Sequence, residues 1–423
     1  MSSNYKKLGD YIRPLNERNR DLQVKTLLGV SIQKILMPSI ANTVGTNMKT
    51  YKVIKKNQFA YGPVTSRNGD KISIALLQEF DEAIISQAYT VFEVIDISKL
   101  HPEYLMMWFR RPEFDRYARF KSHGSARETF DWDEMCEVEL PIPSIEKQQE
   151  IVNEYNTVTN RIKLNEQLNQ KLEETAQALY KHWFVDFEFP NEEGKPYKSS
   201  GGEMVFNEEL DKEIPVGWEF SYLGNYSTIK GGKRMPSGSK LIKEQTDSVY
   251  IKVADLGTSK YVQLDNTFEY VPSEVAPKIS RYITHKDDVV ISIVGTIGVV
   301  KIVGESLNGA NLTENCMKIT KLKRITSSYL YHYLVSKEGK EEIKIRNVGA
   351  VQAKLPMYNL ESFPIVIPKA EIINEFENKV ISIDKVLNER NIESKTLTKL
   401  QSVLLSKMSK VKERTPKEVN NEI

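Results

Sequence analysis

Two long stretches of the chain carry apolar residues at alternating steps of three and four, which is the pattern of a helix with a coiled-coil seam. The first stretch follows Ile142-Pro143 and the second follows Ile367-Pro368. The candidate seam residues, which would pair the helices, are Ile151, Tyr155, Val158, Ile162, Leu172, Leu179, Phe376, Val380, Ile383, Leu387, Leu397 and Leu404. We therefore predict spacer helices over 144–184 and 368–410, each with one apolar stripe to bury.

Polar residues interrupt both seams near the middle, as Asn165 and Asn169 in the first stretch and as Arg390 and Ser394 in the second. Such residues weaken packing but fix the register, because a slipped pairing would strand them. Antiparallel pairing of the two helices inside the chain would bury both stripes and let the polar layers meet. It would also place one globular domain at each end of a rod.

The segments before the two helices mix short strand-like runs with a predicted helix, over 102–119 in the first segment and 327–346 in the second. Regular β-α-β alternation is missing, so the pattern favours an α+β fold. We predict target-binding domains over 1–143 and 217–367. Residues 185–216 are rich in Gly, Pro and charge and are predicted to form a connector running back along the rod, and 411–423 a flexible tail.

The chain also repeats itself at a fixed offset of 225 positions. Tyr104-Leu105 recurs as Tyr329-Leu330, Gly124 as Gly349, and Pro143 as Pro368. A constant spacing over some forty residues indicates two tandem copies of one module, hence two pseudo-symmetric α/β domains separated by the long helices. Two modules on a rigid frame suit a protein that reads two separated places on one extended partner.

Composition excludes some classes of protein. The 423 residues include 40% hydrophobic and 27% charged residues, a net charge of +2 and two cysteines, which gives no disulfide framework. Apolar runs are too short for a membrane helix and the first residues do not resemble a secretory signal, so we expect a cytoplasmic protein. Basic clusters at 110–127 and 230–243 are typical of a nucleic-acid reader, although a solvated surface explains either cluster alone as well.

Enzyme motifs are missing from the sequence. The five histidines are dispersed without metal-ligand spacing, and residues 232–240 (GKRMPSGSK) fail the phosphate-loop spacing. Nucleophile-elbow and deaminase zinc patterns are absent too. We expect no catalytic residue, metal or cofactor in this chain.

Loops at equivalent places in the two copies carry side chains suited to DNA, because Arg pairs with guanine, Asn and Gln with adenine, and Lys and Ser with phosphates. An ordinary turn or surface explains each residue equally well. The candidate DNA-binding residues are Thr65, Ser66, Arg67, Asn68, Lys121, Ser122, Ser125 and Arg127 in copy one, and Lys230, Lys233, Arg234, Ser237, Lys240, Thr296, Arg346, Asn347, Gln352 and Lys354 in copy two.

Four stretches of the chain form a distinctive combination: 183–190 (WFVDFEFP), 194–205 (GKPYKSSGGEMV), 214–219 (IPVGWE), and Pro143 with 146–152 (EKQQEIV). Through them nearly the whole chain resembles the specificity subunit of type I restriction-modification systems. The chain departs from the family's pattern at the start of the second helix. Residues 368–373 lack the glutamine pair that the first helix has at Gln148 and Gln149. That leaves open whether both helices hold a partner subunit equally well.

The resemblance implies two target-recognition domains, each binding half of a split double-stranded DNA sequence, with the paired helices as a ruler. It further implies that the paired helices, through the seam residues named above, dock two modification subunits, which carry S-adenosylmethionine. Motor-nuclease restriction subunits, which use ATP and Mg, would dock as well. Two rival interpretations stay open: a coiled-coil adaptor that does not bind DNA, and a single-chain enzyme with an unrecognised motif.

Overall fold

The computed structural model describes residues 5–39, 45–66, 68–69, 71–124, 127–349 and 353–410. It contains two compact units. Unit 1 comprises Met1–Gln167 with Arg390–Ile423, and unit 2 comprises Leu168–Glu389. The boundary lies inside the two long helices, so each unit holds one globular lobe and part of both helices. The predicted tail, 411–423, lies outside the described residues.

The strands of unit 1 build small antiparallel sheets. In the described residues they are β1 (Tyr5–Lys7), β2 (Ile12–Leu15), β3 (Leu28–Val30), β4 (Leu36–Pro38), β5 (Lys52–Lys55), β6 (Phe59–Tyr61), β7 (Ile74–Leu76), β8 (Glu82–Ile85), β9 (Thr90–Val94) and β10 (Glu139–Pro141). The largest sheet has the order β2-β9-β6-β7, and β3-β4, β5-β8 and β1-β10 form pairs. Its apolar face carries Phe59, Phe92 and Ile74, all with no exposed surface.

Helices cover one side of the unit 1 sheet. Their bounds are Pro102–Arg110, Pro112–Lys121, Trp132–Cys136 and the first long helix, Ile145–Tyr180, with short 3₁₀ turns at Leu8–Asp10, Met48–Thr50 and Met408–Lys410. Tyr104 and Phe109 are fully buried and join the sheet residues in one core. Because a helix and a sheet each expose one apolar face, their packing closes this core.

The strands of unit 2 follow a different sheet order. In the described residues they are β11 (Met204–Asn207), β12 (Lys212–Pro215), β13 (Glu219–Tyr222), β14 (Thr228–Gly231), β15 (Val249–Ile251), β16 (Tyr261–Val262), β17 (Glu269–Tyr270), β18 (Val289–Ser292), β19 (Val300–Val303), β20 (Asn311–Leu312), β21 (Cys316–Thr320) and β22 (Pro364–Ile367). The main sheet is β14-β21-β18-β19-β16, a second is β17-β15-β20, and β11-β12 and β13-β22 form pairs. Both units are α+β, which confirms the predicted class.

The helices of unit 2 pack on the main sheet. Their bounds are Leu223–Tyr226, Ala276–Ile279, Ser327–Val335, Lys337–Ile345, Met357–Glu361 and the second long helix, Ala370–Lys407, with a π turn at Lys181–Val185 and 3₁₀ turns at Val253–Leu256, Ser280–Tyr282 and Glu305–Leu307. The segment predicted as a connector carries the hairpin β11-β12. It packs Phe187, Phe189 and Ile214 into the core of this unit.

The prediction of one helix over 102–119 and one over 327–346 was wrong, because each is two helices. Arg111 has extended backbone and precedes Pro112, a residue that disfavours helix at the position before it. In unit 2 the break falls at Ser336, whose side chain accepts a hydrogen bond from Gly339 N at 3.1 Å and so caps the next helix. The two breaks lie 225 positions apart, at the same place in each copy.

The sequence repeat is a repeat of structure. In unit 1, Tyr104 Oη donates to Pro141 O at 2.9 Å, and in unit 2 its counterpart Tyr329 donates to Val366 O at 2.7 Å. The long helices begin at Ile145 and Ala370, again 225 positions apart. The same hydrogen bond therefore anchors the strand before each long helix.

The long helices pair antiparallel in unit 1. Gln401 Nε2 donates to Thr159 Oγ1 at 2.8 Å, and Arg161 contacts Glu393 at 2.8 Å, so one residue number falls as the other rises. Asn165, which has no exposed surface, donates to Glu393 at 2.8 Å and accepts from Arg390 at 3.2 Å. The polar interruptions of the two seams thus meet, and Asn165 faces its own counterpart in the repeat.

In unit 2 the remaining parts of the helices also lie side by side. Phe376 contacts Trp183 and Phe184, with ring centroids 6.0 and 5.0 Å apart. Burial raises the pKa of Glu173, and the nearby carboxylate of Asp384 adds to that rise. The pairing 173 with 384 and 183 with 376 is antiparallel, which confirms the predicted direction.

All twelve predicted seam residues are buried or partly buried. Tyr155, Val158, Phe376, Val380 and Leu387 are buried. The partly buried seam residues are Ile151, Ile162, Leu172, Leu179, Ile383, Leu397 and Leu404. Docking of other subunits by these residues stays a prediction.

A buried glutamine fastens the first long helix to its lobe. Gln148 Oε1 accepts from His101 N, and Nε2 donates to Lys99 O and Pro143 O, each at 2.8 Å. Its counterpart in the second helix is Ile373, which is buried in the core of unit 2. The glutamine missing from 368–373 therefore concerns how each helix packs on its own lobe.

Gln148→Ala should lower the free energy of unfolding by about 2–4 kcal/mol, because it leaves buried backbone groups without partners. Chemical denaturation of the purified chain measures this. Gln149→Ala is the matched control, since Gln149 is exposed and its amide donates to Asn153 at 2.9 Å. Equal stability of the two variants would contradict the fastening role.

Candidate nucleic-acid interface

Each unit has a segment whose two ends are joined by the same pair of backbone hydrogen bonds. We name these segments the tip loops, residues 123–129 in unit 1 and 348–354 in unit 2, of which 125–126 and 350–352 lie outside the described residues. His123 N and Thr129 N each donate to the other residue's carbonyl, at 3.1 and 2.9 Å. Val348 and Lys354 repeat this exchange, at 2.9 Å in both directions. Both loops follow the second helix of a broken helix pair, so the scaffold sets their position.

A glycine turns the chain at the start of each tip loop. Gly124 has φ +131°, and a Cβ at this position would lie 2.3 Å from Arg127 O. Gly349 has φ +103°. Residues with side chains rarely adopt such angles, so glycine permits both turns.

A second loop packs beside each tip loop. In unit 1, Val64 bridges to Thr129 and Thr65 N donates to Glu128 O at 2.9 Å. In unit 2, Val294 bridges to Lys354 in the same manner. Among the described residues, the structure therefore places the loop of Val64 and Thr65 beside the unit 1 tip loop, and the loop that follows Val294 beside Lys354 of the unit 2 tip loop.

The unit 1 candidates divide into internal and outward residues. Thr65 is buried, and its hydroxyl lies 3.0 Å from Ser122 Oγ and 3.2 Å from Glu128 O. Ser122 Oγ also donates to Ala118 O at 2.6 Å. Thr65 and Ser122 thus hold the loops together, whereas Ser66 and Arg127 are exposed.

The remaining candidate DNA-binding residues of the two loop pairs differ in burial and hydrogen bonding. Asn68 is half-buried and its amide donates to Val64 O at 3.1 Å. In unit 2, Thr296 and Lys354 are exposed, and Asn347 Oδ1 is buried without a hydrogen-bond partner among the described residues. Arg67, Ser125 and Gln352 lie outside the described residues.

Acidic partners hold several of the cations beside the tip loops. Lys121 Nζ lies 3.1 Å from Glu134, and the hydrogen bond to this carboxylate raises the pKa of Lys121. Arg346 pairs with Glu342 one helical turn earlier, and Arg119 with Glu128. The side chains of these pairs are partly accessible to solvent, so the carboxylates orient the cations without burying them.

Backbone contacts with residues 312 and 313 hold the start of the basic segment 230–243 in place. Lys233 N donates to Leu312 O at 2.8 Å, and a Cβ on Gly232 would lie 2.0 Å from Thr313 O. The Lys233 ammonium lies 5.7 Å from the centre of the Tyr282 ring, and Arg234 pairs with Glu314 at 2.5 Å. The outward-facing predicted residues here are Lys230, Lys233, Arg234, Ser237 and Lys240.

This segment and the unit 2 tip loop are separate candidates, since no hydrogen bond or ion pair joins them within the described ranges. The acidic partners Glu134, Glu314 and Glu342 were not among the predicted residues. Glu314 lies 80 positions from Arg234. Local sequence spacing could therefore not predict the ion pair between them. Glu342, four residues before Arg346, was detectable from helical spacing.

The described residues contain no group of three or more His, Cys, Asp or Glu side chains placed to hold a metal ion. None of the helices in this part of the chain has the length and apolar character to span a bilayer.

The amino-acid sequence is similar to that of a known protein family and of two relatives. The family described as type I restriction modification DNA specificity domain matches residues 29–174 and 215–402. The type I restriction enzyme MjaIX specificity subunit of Methanocaldococcus jannaschii is 27% identical over 315 residues, which cover 72% of this chain and 68% of that protein. The HindI specificity subunit of Haemophilus influenzae is 25% identical over 428 residues, covering 89% and 90%.

The fold is also found in a solved structure. The S subunit of a type I restriction-modification system from M. genitalium aligns with a TM-score of 0.52 and 15% identity, covering 97% of this chain and 96% of that one. The two family matches fall on the two copies of the repeat and together cover most of the chain. The chain therefore belongs to the type I restriction modification DNA specificity domain family.

Proposed function

We propose that this chain is the DNA specificity subunit of a type I restriction-modification complex and reads a bipartite duplex target, with one half-site for each lobe. The observation that carries the proposal is the duplicated tip loop. The residues at its two ends pair in the same way in both units but differ in identity, His123 with Thr129 in one and Val348 with Lys354 in the other. A shared scaffold with different reading residues suits two half-sites of different sequence.

The paired helices would set the gap between the half-sites and dock two modification subunits. Support comes from their continuity, since Ile145–Tyr180 and Ala370–Lys407 run without interruption. The meeting of Asn165 with Arg390 and Glu393 supports a fixed register. Fixed register keeps a spacer constant, because sliding by one turn would leave buried polar groups unpaired.

The chemistry would reside in the partners. We expect this chain to have no catalytic activity of its own, S-adenosylmethionine to bind the modification subunits, and ATP and Mg to serve the restriction subunits. This division agrees with the lack of a recognisable catalytic motif in the sequence.

Methylation assays with and without the modification subunit test the proposal. The purified chain alone should transfer no methyl group from S-adenosylmethionine to DNA, and addition of the modification subunit should give sequence-specific methylation. Methylation by the chain alone would establish the enzyme interpretation. A stable complex that neither shifts nor methylates any duplex would establish the adaptor interpretation.

Lys233 and Arg234 should contribute affinity that does not depend on DNA sequence. Replacing both with alanine should make the slope of log K against log salt concentration less steep by about one to two units, because each phosphate contact releases counterions. Arg234 would contribute less than Lys233, since Glu314 already neutralises part of its charge.

Binding isotherms of the complex at several salt concentrations measure this slope. Lys195→Ala with Lys198→Ala is the matched control, since it removes two exposed cations of the same unit from the segment around β11. An unchanged slope in the Lys233 and Arg234 variant would rule both residues out as phosphate contacts.

A further inference from the structure

An exposed apolar side chain recurs at the same place in both units, directly before the tip loops. Phe120 lies in the last turn of Pro112–Lys121 and is 84% exposed. Ile345 ends the helix Lys337–Ile345 and is 70% exposed. The two positions are 225 residues apart, so they correspond in the repeat.

Recurrence separates this pair from the other exposed apolar residues. Single exposed apolar side chains are common on protein surfaces and need no explanation. Ile97 is 64% exposed, but its counterpart Leu322 is partly buried. Tyr358 is 65% exposed, but its counterpart is the acidic residue Asp133.

The scaffold does not use either side chain. In the helix Pro112–Lys121 the core is filled by Phe114 and Ala118. In Lys337–Ile345 the corresponding contact to the core comes from Ile343. An exposed phenylalanine or isoleucine therefore contributes nothing to the packing of its own lobe and is available to a partner.

The charge around both positions favours DNA as that partner. Phe120 lies between Arg119 and Lys121, and Ile345 lies between Lys344 and Arg346. Arg119, Lys121 and Arg346 each pair with a carboxylate but keep part of their side chain accessible to solvent. In each unit a large apolar residue thus lies between two cations and next to a candidate DNA-reading loop. This arrangement matches double-stranded DNA, which has phosphates outside the groove and apolar groups on base edges inside it. In the major groove the apolar group on a base edge is the thymine methyl group.

We propose that Phe120 and Ile345 are specificity-determining residues, each making an apolar contact with a thymine methyl group of the half-site read by its own lobe. The inference rests on the proposed function. It adds an apolar contact with a base to the hydrogen bonds that the polar loop residues would make. Each residue acts on one half-site only, while the flanking cations contact the phosphates on either side.

Binding of the complex with the modification subunit to its methylation target tests the proposal. Phe120→Ala should weaken binding about tenfold, because the loss is that of a buried apolar contact. The salt slope should stay unchanged, since no phosphate contact is removed. Ile345→Ala should do the same for the other half-site, and Phe120→Leu should retain most of the affinity.

Uracil substitution identifies the contact. Replacing the thymines of one half-site singly with uracil, which lacks the methyl group, should weaken wild-type binding at one position. Phe120→Ala should be insensitive to that replacement. The matched controls are Ile97→Ala and Phe206→Ala, which remove exposed apolar side chains elsewhere and should change neither affinity nor uracil sensitivity.

Two outcomes would overturn the inference. In the first, Phe120→Ala and Ile345→Ala bind every duplex like the wild type. In the second, the variants lose the modification subunit while the uracil profile stays that of the wild type, which would make the pair a protein contact. Failure of the proposed function itself is distinct, because the wild-type complex would then show no sequence preference.

Discussion

Duplicating one heptad in both long helices will lengthen the gap between the two half-sites by about three base pairs and leave the half-site letters unchanged. Seven helical residues span about 10 Å, and stacked base pairs rise about 3.4 Å each. The segments to duplicate are 158–164 and 391–397, which face each other through the contact between Arg161 and Glu393. Both lobes and the polar layer at Asn165 keep all their residues.

The gap is measured by sequencing the sites that the variant complex methylates. Lys163→Ala with Lys399→Ala is the control, because it changes exposed residues of the same helices without changing their length. Duplication in one helix alone should abolish specific methylation, since the seam residues would no longer face each other. New half-site letters with an unchanged gap would contradict the ruler role.

Replacing Asp384 with alanine will destabilise unit 2 by about 3–5 kcal/mol, because it leaves a buried cation unpaired. Lys260 Nζ lies 2.7 Å from Asp384 Oδ2, and both side chains are largely buried. Burial lowers the pKa of Lys260, and Asp384 opposes that effect. The ammonium also contacts Ser328 Oγ at 3.0 Å and His332 Nε2 at 3.3 Å.

This cluster joins both long helices to the lobe of unit 2. Asp384 belongs to the second helix, and Gln177 of the first helix lies 2.8 Å from His332 Nδ1. Burial, reinforced by the charge of Lys260, lowers the pKa of His332, so the ring stays neutral near pH 7. Loss of Asp384 should therefore loosen the helices as well as the lobe.

Chemical denaturation followed by tryptophan fluorescence measures the effect, since Trp183 and Trp218 lie in this core. The double variant Lys260→Met with Asp384→Leu should recover most of the stability, because it replaces the buried pair with apolar side chains. Glu389→Ala is the control, an exposed acid of the same helix. Full stability of Asp384→Ala alone would contradict the role of the pair.

Periodicity predicted the long helices and the repeat because both are properties of spacing. The same approach failed to predict the helix breaks at Arg111 and Ser336. Pro112 was a visible signal that the residue before it leaves the helix, but the apolar pattern on either side looked continuous. Ser336 carried a weaker signal, an N-cap serine three residues before Gly339, and no proline marked the break.

The site was predictable only in part, for a physical reason. Equivalent loops follow from the repeat, and in each unit one described pair of residues joins the two loops, Val64 with Thr129 and Val294 with Lys354. Which residues face outward depends on contacts between distant segments, such as Thr65 with Glu128 and Arg234 with Glu314. Neither contact follows from local spacing. Gln148 illustrates the same limit, because its partners include Lys99 and His101, nearly fifty positions away.

Selection of bound duplexes from a random DNA library by the complex of this chain with its modification subunit tests the central claim most directly. Sequencing the selected duplexes should reveal two short blocks of specified bases, separated by a gap of unspecified bases with one fixed length. A single continuous block, or two blocks at variable separation, would contradict a chain in which two repeated lobes read DNA across a fixed helical spacer.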